Sequence, residues 1–257
     1  MNPDNCTVLS IITVVFNGEQ HLKDTLESVK AQKTDAVEYI VIDGGSTDGT
    51  LEICSNYSDI IDVLISESDK GIYDAMNKGL YEASGKFVAY LNSDDYLVAD
   101  ALGRVLSRLS TEGIDFLYGD LQYINDQHET KRLWVSGHFS TRKLENLWIP
   151  PHPSSYVRTD LLRNLGGFNL TYALAADYDL MLKALHRLNK VDYLEGILVR
   201  MRLGGATNES WSNIFRQNVE IFRSYHSVYG KYPVTKLLYK LIACLLYTSP
   251  SPRDGLL

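Results

Sequence analysis

Only three cysteines occur in 257 residues, Cys6, Cys54 and Cys244, scattered and never as Cys-x-x-Cys. That excludes a disulfide framework and a thiolate zinc site and suits a reducing compartment. A cytoplasmic location is therefore expected, with the inner face of the cell membrane left open. Basic residues are also in deficit: 25 Lys and Arg stand against 32 Asp and Glu, for a net charge of -7 and a pI near 5.4. Surfaces that coat nucleic acid show a basic excess, so no nucleic-acid partner is expected. Residues 9–16 are strongly apolar but lack the length, basic lead-in and cleavage site of a signal peptide. None of the six histidines forms His-x-His or His-Glu-x-x-His, which argues against a histidine metal centre.

What is present is alternation. Residues 8–16 have the β-branched density of a buried strand, and Leu22, Leu26 and Val29 then form one apolar helical stripe. A strand at 37–42 ends at Asp43-Gly44-Gly45-Ser46-Thr47-Asp48, where Ser46 or Thr47 is expected to cap a helix running toward Tyr57. A strand at 60–65, the turn Asp69-Lys70-Gly71, a helix at 72–83 and a strand at 87–91 follow, the last ending at Asn92-Ser93-Asp94-Asp95. Short strands alternating with helices predict βαβ units and a mostly parallel, Rossmann-like α/β sheet flanked by helices. Both acidic turns then emerge at its carboxyl edge, where open α/β sheets bind ligands.

Asp100 is expected to cap the next helix, and residues 114–135 read as short strands in mixed or antiparallel pairing. Pro150-Pro151-His152-Pro153 marks a rigid crossing before a strand at 155–158, a short helix stopped by Gly166-Gly167 and a longer helix at 177–188. Residues 234–246 suggest an amphipathic helix with Lys236 and Lys240 on one side, too short to span a bilayer but leaving peripheral membrane contact open. Residues 246–257 break into turn formers and are expected to be a non-native tail.

Five segments carry a resemblance: Ser10-Ile11-Ile12-Thr13-Val14-Val15-Phe16-Asn17, residues 41–50 around Asp43, residues 71–79, residues 85–95 around Asp94, and Gly166-Gly167-Phe168 with Asp177-Tyr178-Asp179-Leu180. In order and spacing the chain resembles a family 2 glycosyltransferase of GT-A fold, and its acidic variants look like the colanic-acid and exopolysaccharide branch. The resemblance implies an inverting transfer of sugar from a UDP- or GDP-sugar to a glycan or lipid-linked acceptor in cell-surface polysaccharide assembly, lipopolysaccharide included. It implies one GT-A domain over residues 1–245, with a nucleotide-binding half at 8–97, a smaller acceptor-side half at 98–205 and a helical extension at 206–245.

Residue by residue, the resemblance places Thr13, Phe16, Asn17, Asp43, Asp69 and Lys70 around the donor nucleotide. Asp94 would hold Mn2+ or Mg2+, hard cations suited to carboxylate and phosphate oxygens. Asp177 takes the general-base position, Asp179 is its understudy, and His152 falls on the acceptor-side loop. Gly44, Asn92 and Ala176 stand where relatives often carry acids, which also admits a nucleotide-sugar-binding or scaffold protein that has lost catalysis. A dinucleotide oxidoreductase fits less well, because Val15-Phe16-Asn17-Gly18-Glu19 stands where a Gly-x-Gly-x-x-Gly turn belongs.

Overall fold

The structure, a computed structural model, describes residues 7–188, 190–203 and 211–233. The expected helix at 234–246, the tail at 246–257 and Gly204-Gly205 lie outside these residues. At the centre is β1 (Leu9–Val15), buried along its whole length as its unbroken apolar run requires. It pairs in parallel with β2 (Val37–Asp43) on one side and β4 (Phe87–Tyr90) on the other, while β3 (Val63–Ser66) adds to β2 in parallel. The crossovers are α1 (Leu22–Lys30), α2 (Thr50–Asn56) and α3 (Ile72–Glu82). Helix α1 buries Leu22, Leu26 and Val29, the stripe read from their spacing.

After the fourth strand the chain changes direction. It forms β5 (Tyr96–Leu97), α4 (Ala101–Leu109), β6 (Phe116–Ile124), β7 (Thr130–Trp134) and α5 (Thr141–Glu145). A single 3-10 turn at His152–Ser154 leads to β8 (Ser155–Arg158), α6 (Thr159–Asn164), α7 (Ala176–Arg187), β9 (Val191–Arg202) and α8 (Trp211–Tyr229). The sheet runs β3-β2-β1-β4-β8-β6-β9-β5, with β7 also on β6. Strand β8 is antiparallel to both β4 and β6, and β7 is antiparallel to β6, which is the mixed pairing expected beyond residue 114. Alternate β1 residues serve two cores: Ile12 and Val14 pack toward α3 and α7, Leu9 and Ile11 toward α1 and α4.

Two expected boundaries shift, and one expected cap goes unmade. Helix α2 starts at Thr50, because Ser46 Oγ accepts from the Asn17 amide (2.7 Å) and Thr47 donates its amide to Asn17 Oδ1 (2.9 Å); Asp48 Oδ1 accepts from the Thr50 amide instead (3.0 Å). Strand β3 starts at Val63, since the Ile60 amide closes a turn onto the Tyr57 carbonyl (3.0 Å). Asp100 sits in the left-handed region at φ 61° and makes no capping bond; Gln32 Oε1 accepts from the Leu102 amide at 3.1 Å instead.

Candidate active site

The register of the parallel strands brings four loops to one edge. Val15 pairs with Asp43 and Asp43 with Ser66, so the β1, β2 and β3 ends lie side by side, and β4 ends beside β1. Here Asn17 bridges to Ser46 and Thr47 as above, and a methyl built on Gly18 would lie 3.6 Å from Ser93 Oγ in the loop after β4. Phe16 is exposed at this edge (64%) and offers a flat apolar face.

The other nucleotide-side candidates take different parts. Thr13 is turned into the sheet, fully buried, with its hydroxyl 3.0 Å from Tyr39 Oη. Asp43 is also fully buried and builds the turn: its carboxylate accepts from the Gly45 amide (3.2 Å), the Ser46 amide (3.1 Å) and Ser66 Oγ (2.6 Å). Gly45 supplies the φ of 86° that lets those amides converge on it. Asp69 lies beside Gly44, where a methyl would come within 2.4 Å of Asp69 Oδ2. Lys70 is exposed, and its amide donates to Asp74 Oδ2 (3.0 Å).

In the loop after β4 the side chains of Asn92, Asp94 and Asp95 divide. Asp95 is fully buried and accepts from Asn92 Nδ2 (2.9 Å) and the Arg202 amide (3.1 Å). Burial, and then the neighbouring Asp94, push its carboxyl well above the usual carboxylate range. Asp94 is half-buried, and desolvation raises its carboxyl too, with the charges of His21 and Arg202 pulling it back. Asn92 thus spends its amide group steadying Asp95. Arg202, 4% exposed, is anchored by Asp24.

Among the described residues no three His, Cys, Asp or Glu side chains gather into a ready-made metal cage. The donor set fits a cation of the magnesium or manganese kind in another way. Asp94 is a hard oxygen donor whose charge is under-compensated by its surroundings, and such cations use one or two carboxylates together with substrate phosphates.

Asp177 stands in the first turn of α7, half-buried, with Tyr73 Oη donating to Oδ1 at 3.2 Å. Burial and the adjacent Asp177 charge both raise the Tyr73 phenol, so it remains a neutral donor. Phe168 stacks on Tyr73 (centroids 5.6 Å apart) and meets Tyr90 edge-on (5.1 Å), and His152 stacks on Tyr90 (5.1 Å). Burial holds the His152 imidazole below its ordinary pKa, with Asp177 opposing. Since Tyr90 ends β4, a continuous aromatic wall runs from Asp177 to the strand that leads into Asp94. Asp179 turns away: it is 1% exposed and ion-paired with Lys183 (2.6 Å).

Tyr73 and Asn77 lie in the matching segment 71–79, to which the sequence attaches no role. Their i, i+4 spacing puts both on one face of α3. Asn77 clamps Phe168 from both sides, accepting from its amide at Oδ1 (2.8 Å) and donating Nδ2 to its carbonyl (2.9 Å). Gly167, at φ 68°, lets the chain pass, because a methyl there would come within 2.3 Å of Asn77 Oδ1.

The curled, mostly parallel sheet with its flanking helices is the GT-A glycosyltransferase fold. Comparison with known proteins agrees: the model for Glycosyl transferase family 2 matches residues 10–163, and the chain belongs to that family. It is 34% identical over 180 residues to an uncharacterized glycosyltransferase of Mycobacterium tuberculosis, covering 68% of each chain. It is 32% identical over 177 residues to a PGL/p-HBAD biosynthesis glycosyltransferase of Mycobacterium bovis, covering 67% of each. Among solved structures, S. aureus TarS 1–349 in complex with UDP-GlcNAc superposes with a TM-score of 0.67 at 20% identity, over 89% of this chain and 68% of that one. The mannosyltransferase PcManGT from Pyrobaculum calidifontis, in complex with GDP-Man and Mn2+, gives 0.59 at 17% identity, over 93% and 80%. No helix among the described residues is long and apolar enough to cross a membrane.

Proposed function

We propose that this glycosyltransferase moves a sugar from a UDP- or GDP-sugar, with inversion, to a glycan or lipid-linked acceptor in cell-surface polysaccharide assembly. Residues 8–97 hold the nucleotide and residues 98–205 face the acceptor. The observation that carries this reading is the Asp177 carboxylate at the head of α7, with one oxygen engaged by Tyr73 and, among the described residues, no hydrogen bond to the other. The solved complexes of structural relatives with UDP-GlcNAc and GDP-Man support a nucleotide-sugar donor.

Each part of the chain has a task. Phe16, Asn17, Asp69 and Lys70 border the nucleotide at the strand ends, while Thr13 and Asp43 fix the backbone around it. Asp94 would hold Mn2+ or Mg2+; when bound, the cation would neutralise charge on the diphosphate leaving group. Asp177 Oδ2 takes the acceptor hydroxyl proton as the new bond forms between the acceptor oxygen and the anomeric carbon. The bond to phosphate breaks on the opposite face, and its electron pair leaves with the nucleoside diphosphate. Tyr73 keeps Oδ1 occupied and so fixes the carboxylate plane. His152, Phe168 and Tyr90 form a dry wall behind the base, which favours proton transfer to a positioned carboxylate over bulk water.

Turnover of a UDP- and GDP-sugar panel with manganese, compared with Asp177→Asn, tests the reading. General-base catalysis is worth about 10²–10⁴-fold, so the variant loses that much kcat while nucleotide affinity stays within about twofold. Near-normal turnover by the variant removes Asp177 from the role.

A further inference from the structure

Helix α7 starts without a cap of its own. Ala175 at its N-cap makes no side-chain bond, and Ala173-Leu174-Ala175-Ala176 contains no side chain able to accept one. The backbone amides of the three residues that lead into the helix do find a partner. The partner comes from α8. The Glu220 carboxylate, 5% exposed, accepts from the amides of Ala173 (3.0 Å, Oε1), Leu174 (2.8 Å, Oε2) and Ala175 (3.0 Å, Oε2). Arg216, one turn earlier, sets Nε 3.4 Å from Oε1 and balances the charge.

We infer that Glu220 is a positioning residue for Asp177: it anchors the three residues before α7 and thereby fixes where the base stands two residues further on. This rests on Asp177 as the base. The anchor is independent of Tyr73, which reaches Asp177 from α3. With backbone held from behind and carboxylate held from in front, the base has little freedom to drift. Reacting groups displaced by about 1 Å lose on the order of 10²-fold in rate, so the anchor belongs in kcat rather than in nucleotide binding. The nucleotide-side loops after β1, β2 and β3 make none of these contacts.

The test compares Glu220→Gln and Glu220→Ala in the full chain, counting active sites by nucleotide titration. Glutamine at this position retains one accepting oxygen, enough for the Leu174 and Ala175 amides. It is expected to lose about three- to tenfold in kcat, and alanine about 10–100-fold, with nucleotide Kd within about twofold for both. Wild-type kcat per titrated site in either folded variant overturns the inference. So does a parallel fall in kcat and titratable sites, which marks a role in folding alone. Should alanine not fold, hydrogen exchange on the wild-type chain still decides: the amides of 173–175 are expected to exchange as slowly as the α7 interior, and fast exchange there refutes the anchor. If Asp177→Asn turns over normally, the base assignment fails first, and that failure is visible without any Glu220 variant.

Discussion

Replacing Asn77 by alanine removes both bonds that clamp Phe168 and leaves that residue's amide and carbonyl without their partner. Each bond contributes about 1 kcal/mol net, and stranding partly buried groups adds to the cost, so about 2–4 kcal/mol of stability is lost. For a chain of this size 1 kcal/mol corresponds to about 2–4 °C, so Tm falls by about 4–16 °C. The functional effect is narrower. Phe168 forms the wall between Tyr73 and Tyr90, and its release loosens the Tyr73 hydroxyl that steadies Asp177. We expect kcat to fall by about tenfold, in the range of one lost charge-assisted bond, while nucleotide affinity is unchanged. Asn77→Asp keeps the acceptor but sets a second oxygen against the Phe168 carbonyl, and should lie between wild type and alanine or below alanine. Thermal unfolding, nucleotide calorimetry and turnover on the same preparations read all three quantities. A Tm shift under about 1 °C, or a loss of nucleotide affinity matching the loss of rate, refutes the clamp.

Three other outcomes follow from particular contacts. Asp94→Ala should abolish the difference between nucleotide titrations with and without manganese; a surviving manganese dependence moves the cation elsewhere. Gly85→Ala would place a methyl 2.6 Å from the Ser10 backbone nitrogen, where a strand has to shift, and overpacking of this kind costs about 1–3 kcal/mol; an unchanged Tm contradicts it. Burial, and then Asp43, push the Cys54 thiol from 9.0 to about 11. It therefore stays protonated in the fold at pH 8, and it contributes stability that is intact below pH 9.0 and fades as pH rises through about 11. With Cys6 and Cys244 changed to serine, rapid alkylation of the native chain at pH 8 would be the contrary result.

Much of the scaffold was legible because it is local. The β1 run, the α1 stripe and the turn at Asp43 each state their structure within about ten residues. The misplaced start of α2 and the missing cap on α4 share a cause: bonds made across the chain. Ser46 looks like a helix cap until Asn17 claims it, and Asp100 until Gln32 takes its place. At the site, the sequence located Asp177 but not what holds it. Tyr73 lies 104 residues away and Glu220 45 residues from Ala175, separations at which no periodicity operates. Asp179 and Thr13 sit within matching segments, yet their side chains turn to Lys183 and Tyr39, because successive side chains of a strand or helix point to different faces.

The space at Gly44 couples two loops. With no side chain after Asp43, the carboxylate of Asp69 leans into the gap from the neighbouring turn. An acid can therefore be delivered to this spot from either strand end but not from both. Grafting an Asp-Asp pair into this turn would evict Asp69 rather than add a charge, so any exchange of this turn with a relative's has to move residues 44 and 69 together.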